Sequence, residues 1–139
     1  MKVRQHLGMK IYAHDSRGVA HHLIEDLRSG AVTALVCDRD LTGGGVPVQW
    51  PTPNGPVAVT LPAGPAYIAR RARANLIVAI THYEGEQTRL EFSDPIPNDY
   101  GDDGVRVMTQ QLADEFSRLV QLYPTQWHVV QEFFPGVRA

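Results

Sequence analysis

Three charged residues stand together in Asp38-Arg39-Asp40, directly after the apolar run from Ala31 to Cys37 and shortly before Gly43, Gly44 and Gly45. An arginine held between two carboxylates can present its planar fork to a phosphate or a sugar hydroxyl while the acids fix its orientation. The same residues also suit a surface turn in which the acids cap loop amides and the arginine is solvated. The glycines fit both cases, because a residue without a Cβ permits a tight turn or the close approach of a ligand to the backbone.

Histidines supply the next candidates. His21 and Asp26 in "HHLIED" have the spacing H-x-x-x-x-D, a string that resembles the signature in which glycerolipid acyltransferases keep their catalytic base and its supporting acid. On a helix the two residues share the polar face five positions apart, where they do not easily pair, so a solvated helix face is the plainer reading. His21 with Glu25 and His22 with Asp26 are one helical turn apart, but two such pairs without a third ligand make a weak metal site and ordinary surface pairs. Arg70, Arg71 and Arg73 form a basic cluster that suits anionic lipid head groups or nucleotide phosphates, and equally a solvated face. Trp127 and His128 sit among apolar residues, as a core tryptophan and a satisfied histidine would, while His128 also qualifies as a donor near neutral pH.

The elements that must hold these residues follow from periodicity. Arg17 to Arg28 places Val19, Ala20, Leu23, Ile24 and Leu27 on one helical face and stops at Ser29-Gly30. Ala31 to Cys37 has the near-continuous apolar character of a strand covered on both faces, with the charged triplet at its C-terminal end, where open α/β sheets place ligand groups. "VPVQW" and "VAVTL" around the turn-rich "PTPNGP" predict a hairpin or a pair of edge strands, and Pro47 argues against a central position. A helix follows over about Pro65 to Ala74, then a second buried strand over Leu76 to Tyr83, and a third in "TRLEF". Val105, Met108, Leu112, Phe116, Leu119, Val120 and Tyr123 keep helical spacing until Pro124. Together these elements predict an α/β fold with a mainly parallel or mixed sheet flanked by helices.

Composition narrows the setting. The 139 residues fit a single domain spanning 1–139, and a formal net charge of −2 gives no long-range pull toward nucleic acid. Cys37 is the only cysteine and cannot form an internal disulfide, and the N-terminal residues lack the apolar run of a secretory signal. The longest apolar run, Leu76 to Ile80, is far below the roughly 20 residues that span a bilayer. A cytoplasmic chain that meets a membrane only from the side is the expectation.

In their order, "LVCDRDLTGGGV", "LPAGPA", an apolar strand and "LADEFSRLVQLYPTQWHVVQ" resemble the C-terminal half of bacterial lysophospholipid-type acyltransferases, the group holding the late acyltransferases of lipid A synthesis. Within that group the chain is most similar to the actinobacterial branch acting on phosphatidylinositol mannosides, from about Gly8 to Gln131.

The resemblance implies transfer of a fatty acyl group from acyl-CoA, as co-substrate and without a bound cofactor, to a hydroxyl of a membrane glycolipid at the inner face of the plasma membrane. It implies that Asp38, Arg39, Asp40 and Thr42 face the acceptor, that His128 lies near the same cleft, and that Gly64 and Pro65 begin the helix beside the acyl donor. It further implies that the catalytic H-x-x-x-x-D belongs to a preceding half without a counterpart here. The chain is therefore expected to be one half of a split enzyme whose catalytic half is another chain, or a fragment of a longer protein, and the expected partners are that catalytic half or a second copy covering an exposed sheet edge. The alternative is a non-catalytic lipid or acyl-CoA binding module derived from the same fold.

Overall fold

The structure, a computed structural model, describes residues 2–13, 16–40, 43–98, 101–129 and 133–135. In chain order it contains α1 (Lys2–His6), α2 (Val19–Arg28), β1 (Val46–Trp50), β2 (Val57–Leu61), α3 (Gly64–Ala72), β3 (Ala79–Glu84), β4 (Gln87–Phe92) and α4 (Gly104–Leu122), followed by a 3-10 turn at Pro124–Gln126.

The centre is α4 against the hairpin β1–β2. Met108, Leu112, Phe116 and Leu119 recur at helical spacing and are all buried, and they meet Val48, Trp50, Val59 and Leu61, the alternate residues of the two strands. Each such side chain contributes about 1.5–3 kcal/mol on burial, so this seam dominates the stability of the molecule. Its polar members are satisfied, since the Thr109 hydroxyl donates to Val105 O at 2.7 Å and Ser117 Oγ donates to Pro51 O at 2.6 Å. The Gln110 side-chain amide takes both main-chain groups of Gln49, at 2.8 Å each, and so closes that edge of β1.

Helix α3 starts with Pro65 in its first turn, where the missing N–H costs nothing, and buries Pro65, Ala66, Ile68 and Ala69. Helix α2 packs on α3 with Ile24 buried, and Arg28 donates to the Arg71 carbonyl at 2.8 Å. The predicted helices thus form close to their expected limits, with Arg73 at φ 56° ending α3.

The sheet departs from expectation. Both ladders are antiparallel and two-stranded, β1 with β2 and β3 with β4, so the described residues contain no mainly parallel or mixed sheet. Each pair is joined by a short turn, and a hairpin connection can only produce antiparallel neighbours. The segment from Ala31 to Cys37 forms no strand and pairs with none among the described residues, and Val32 and Val36 are 98% and 99% exposed. Its apolar character fits a covered strand, yet among the described residues no neighbouring strand covers it. Leu76 to Tyr83 is also less buried than expected: Val78 and His82 are buried, while Ile77, Ala79, Thr81 and Tyr83 face outward.

Candidate functional site

The charged triplet follows the segment from Ala31 to Cys37 and precedes β1. Asp40 is tied to the following strands: its Oδ2 accepts from Gly45 N at 2.7 Å and from Thr60 Oγ1 at 3.2 Å. Gly45 explains one of the three glycines, because a Cβ there would stand 2.5 Å from Leu61 O and 2.7 Å from the Asp40 carboxylate. The close approach that a glycine permits is here an approach of the chain to itself. Asp38 is held from the other side, its Oδ2 facing the Trp127 indole N–H at 3.4 Å.

Arg39 therefore is not clamped by its neighbouring acids. Among the described residues it has no ion pair and no hydrogen bond, and its side chain is half-buried. It lines a cleft of about 340 Å³ together with Asp40, Pro47, Ala58, Thr60 and Phe133. A second cleft of about 340 Å³ lies between Leu35, Val36, Cys37 and Asp38 on one side and Ala79, Ile80 and Thr81 on the other, with Phe116 and Trp127 also in its wall. Burial, and after it the neighbouring Asp38 carboxylate, pushes the Cys37 thiol up to about 11.

An aromatic group supports the triplet. Trp127 stacks on Trp50, and Phe133 meets both rings edge-on at 5.0 and 4.8 Å between centroids.

The other predicted residues are placed differently. Gly64 is exposed at the start of α3 and Pro65 is in the core, and neither lines a cleft with the triplet. His128 is exposed, although Trp127 and Val129 on its two sides each line one of the clefts. Thr42 lies outside the described residues. His21 pairs with Glu25 at 3.2 Å, whereas Asp26 is held by Lys10 and by the Tyr12 hydroxyl, the latter at 2.8 Å. Those two partners hold the Asp26 carboxyl below its usual range. His21 and Asp26 of the H-x-x-x-x-D string thus do not pair with each other; each is held by other partners. Arg70 donates to the Gly101 carbonyl, while Arg71 and Arg73 are exposed. Among the described residues no three His, Cys, Asp or Glu side chains come together as a metal site.

One polar residue escaped the sequence reading. His82 is buried on the inner side of β3 and stacks on Tyr123 with ring centroids 3.7 Å apart, and among the described residues its Nδ1 has no hydrogen-bond partner. The alternation of Ile80 and His82 with exposed neighbours was the available signal.

Residues 1–135 match the family described as bacterial lipid A biosynthesis acyltransferase. The chain belongs to that acyltransferase family. Among its relatives is the phosphatidylinositol mannoside acyltransferase of Mycolicibacterium smegmatis, 33% identical over 109 residues, a stretch that is 78% of this chain and 34% of the relative. The protein of the same name from Mycobacterium tuberculosis is 33% identical over 112 residues, 78% of this chain and 33% of the relative. The chain thus covers about a third of the length of the curated acyltransferases it matches. Among the described residues of this family member, no helix is long and apolar enough to cross a membrane.

Proposed function

We propose that this chain is the substrate-positioning part of an acyltransferase that moves a fatty acyl group from acyl-CoA to a hydroxyl of a membrane glycolipid such as a phosphatidylinositol mannoside. The observation that carries the reading is Arg39, a guanidinium without a partner among the described residues, in a cleft whose other walls include Pro47, Ala58 and Phe133. A phosphate or sugar hydroxyl meets a planar donor there, and an apolar group meets apolar walls.

In the transfer, the hydroxyl oxygen attacks the thioester carbonyl carbon, a C–O bond forms, the C–S bond breaks and CoA leaves as its thiol. The hydroxyl proton passes to the histidine of an H-x-x-x-x-D pair in a catalytic half, which returns a proton to the departing sulfur. This chain holds the acceptor, acts at the inner face of the membrane as a peripheral part of the enzyme, and is inactive alone.

A second reading, a non-catalytic lipid or acyl-CoA binding module, is favoured by one observation. Among the described residues no histidine stands beside an acid within either cleft.

Thioester cleavage with palmitoyl-CoA and a mannosylated phosphoinositide tests both readings. The chain alone is expected to give no turnover, and a mixture with the non-matching part of the M. smegmatis relative is expected to turn over, with loss in Arg39→Ala. Binding of both substrates without turnover in any mixture would establish the second reading. Turnover by the chain alone that disappears in His21→Ala would overturn both.

A further inference from the structure

We infer that the cleft between the segment from Val32 to Cys37 and β3 is a slot for a β-strand supplied by another polypeptide segment, which would pair with both walls at once.

The first wall is Val32 to Cys37, whose main-chain N–H and C=O groups make no hydrogen bond among the described residues. The second wall is the outer edge of β3, and its direction follows from its two ends. Val78 O accepts from Ser93 N at 2.9 Å, so Val78 faces the β4 side, whereas the main-chain groups of Tyr83 turn away from β4 to the Gln126 side-chain amide. Period-two alternation then turns the main chain of Ala79 and Thr81 the same way as that of Tyr83. Both residues line the cleft opposite Leu35 to Asp38.

Backbone chemistry selects the occupant. An acyl chain filling the cleft would cover unpaired peptide groups and leave them desolvated, which is costly. A strand would pair them on both sides, as in recognition by strand addition. The surroundings ask for the same partner: Tyr83, Leu90 and Phe92 form an apolar outer face on the hairpin at 68%, 56% and 62% exposure, next to a segment whose Val32 and Val36 are almost fully exposed. The inserted strand must be apolar on both faces, and Gln126 limits its pairing with β3 to the stretch up to Thr81.

The relatives extend well beyond the matched third, so material for such a strand exists in acyltransferases of this type. The slot itself follows from the geometry above, and only the source of the strand rests on the split-enzyme reading.

The test is residue-resolved amide hydrogen exchange on the full chain, mixed with overlapping twelve-residue peptides that tile the non-matching part of the M. smegmatis relative. The expected result is one apolar peptide that slows exchange at least tenfold on both walls, at amides within Val32 to Cys37 and at Ala79 or Thr81. A version of that peptide with proline at its centre should lose the effect, and Val36→Asp, a change at a fully exposed side chain, should weaken binding at least tenfold. Protection of neither wall by any peptide would overturn the slot, as would protection by palmitoyl-CoA in place of a peptide. Two-walled protection without turnover in any mixture would keep the slot and sink the split-enzyme reading.

Discussion

Trp127 lies flat on Trp50, with ring centroids 5.6 Å apart and planes 5° from parallel. Trp50 is the last residue of β1, at 3% exposure, and Trp127 follows the turn after α4, so the stack joins the end of the central hairpin to the segment that carries His128. The same Trp127 faces Asp38 in the wall of one cleft and meets Phe133, which lines the other.

Replacing Trp127 by Ala removes this stack and the Asp38 contact together. Unfolding in urea should show a loss of about 2 kcal/mol, below the range for fully buried aromatics because Trp127 is half-buried. Trp127→Phe keeps an aromatic face and should cost about 1 kcal/mol. Near-ultraviolet circular dichroism should lose the coupled tryptophan signal in both variants.

Asp40 and Arg39 should separate cleanly by experiment. Asp40→Ala releases Gly45 N and Thr60 Oγ1 and should lower stability by about 2 kcal/mol, the scale of hydrogen bonds to a charged group. Arg39→Ala breaks no described bond and should leave stability within about 0.5 kcal/mol. Its effect should appear as at least tenfold weaker palmitoyl-CoA or glycolipid binding by titration calorimetry, and a stable variant with unchanged binding would remove Arg39 from the site.

Gly45→Ala should destabilise by about 1–3 kcal/mol, because the added methyl meets a backbone oxygen that has little freedom to move. Gly55→Ala is the control: nothing surrounds the added methyl, but φ of 107° must be strained, at about 1 kcal/mol. Paired denaturation curves should rank Gly45 above Gly55.

Cys37 carries a pH dependence of definite sign. Its thiol is raised from 9.0 to about 11, so between those values the folded state holds more protons than the unfolded one. This contribution to stability is present below pH 9.0 and is lost as pH rises toward about 11. Iodoacetamide alkylation of the folded chain should still be accelerating above pH 9.0, and at pH 8 should run about a hundredfold slower than in the unfolded chain.

Sequence legibility divides along physical lines. Helices α2, α3 and α4 and the first hairpin are legible because their signals are local: the 3.6-residue period ending at Pro124, and two alternating runs flanking "PTPNGP". The hairpin of β3 and β4 carried an equally local signal in Gly85-Glu86, with Gly85 at φ 61°, but the two strands were read as separate sheet members. Ala31 to Cys37 was misjudged for a different reason. An apolar strand records the environment it suits, and whether that environment forms depends on a neighbour that its own residues cannot specify.

The site was legible in position but not in mechanism. The triplet does line two clefts, yet its acids bind the nearby Gly45 and also Thr60 and Trp127, 20 and 89 residues away, which spacing does not reveal. The freedom of Arg39 is a consequence of those distant contacts. His82 could be placed on the inner face by alternation, but its stacking on Tyr123 required the end of α4 to be known.

Two glutamines in this molecule imitate peptide bonds. Gln110 answers both main-chain groups of Gln49, and Gln126 answers both of Tyr83, each offering the amide pair that another strand would offer. A side-chain amide used in this way works as a full stop in a sheet: it terminates hydrogen-bond propagation at one residue and leaves the next positions grammatical. Exchanging either glutamine for glutamate would turn its donor into an acceptor facing a carbonyl and erase the punctuation. The length of edge that the protein offers to others is thus encoded by two side chains that never belong to a strand.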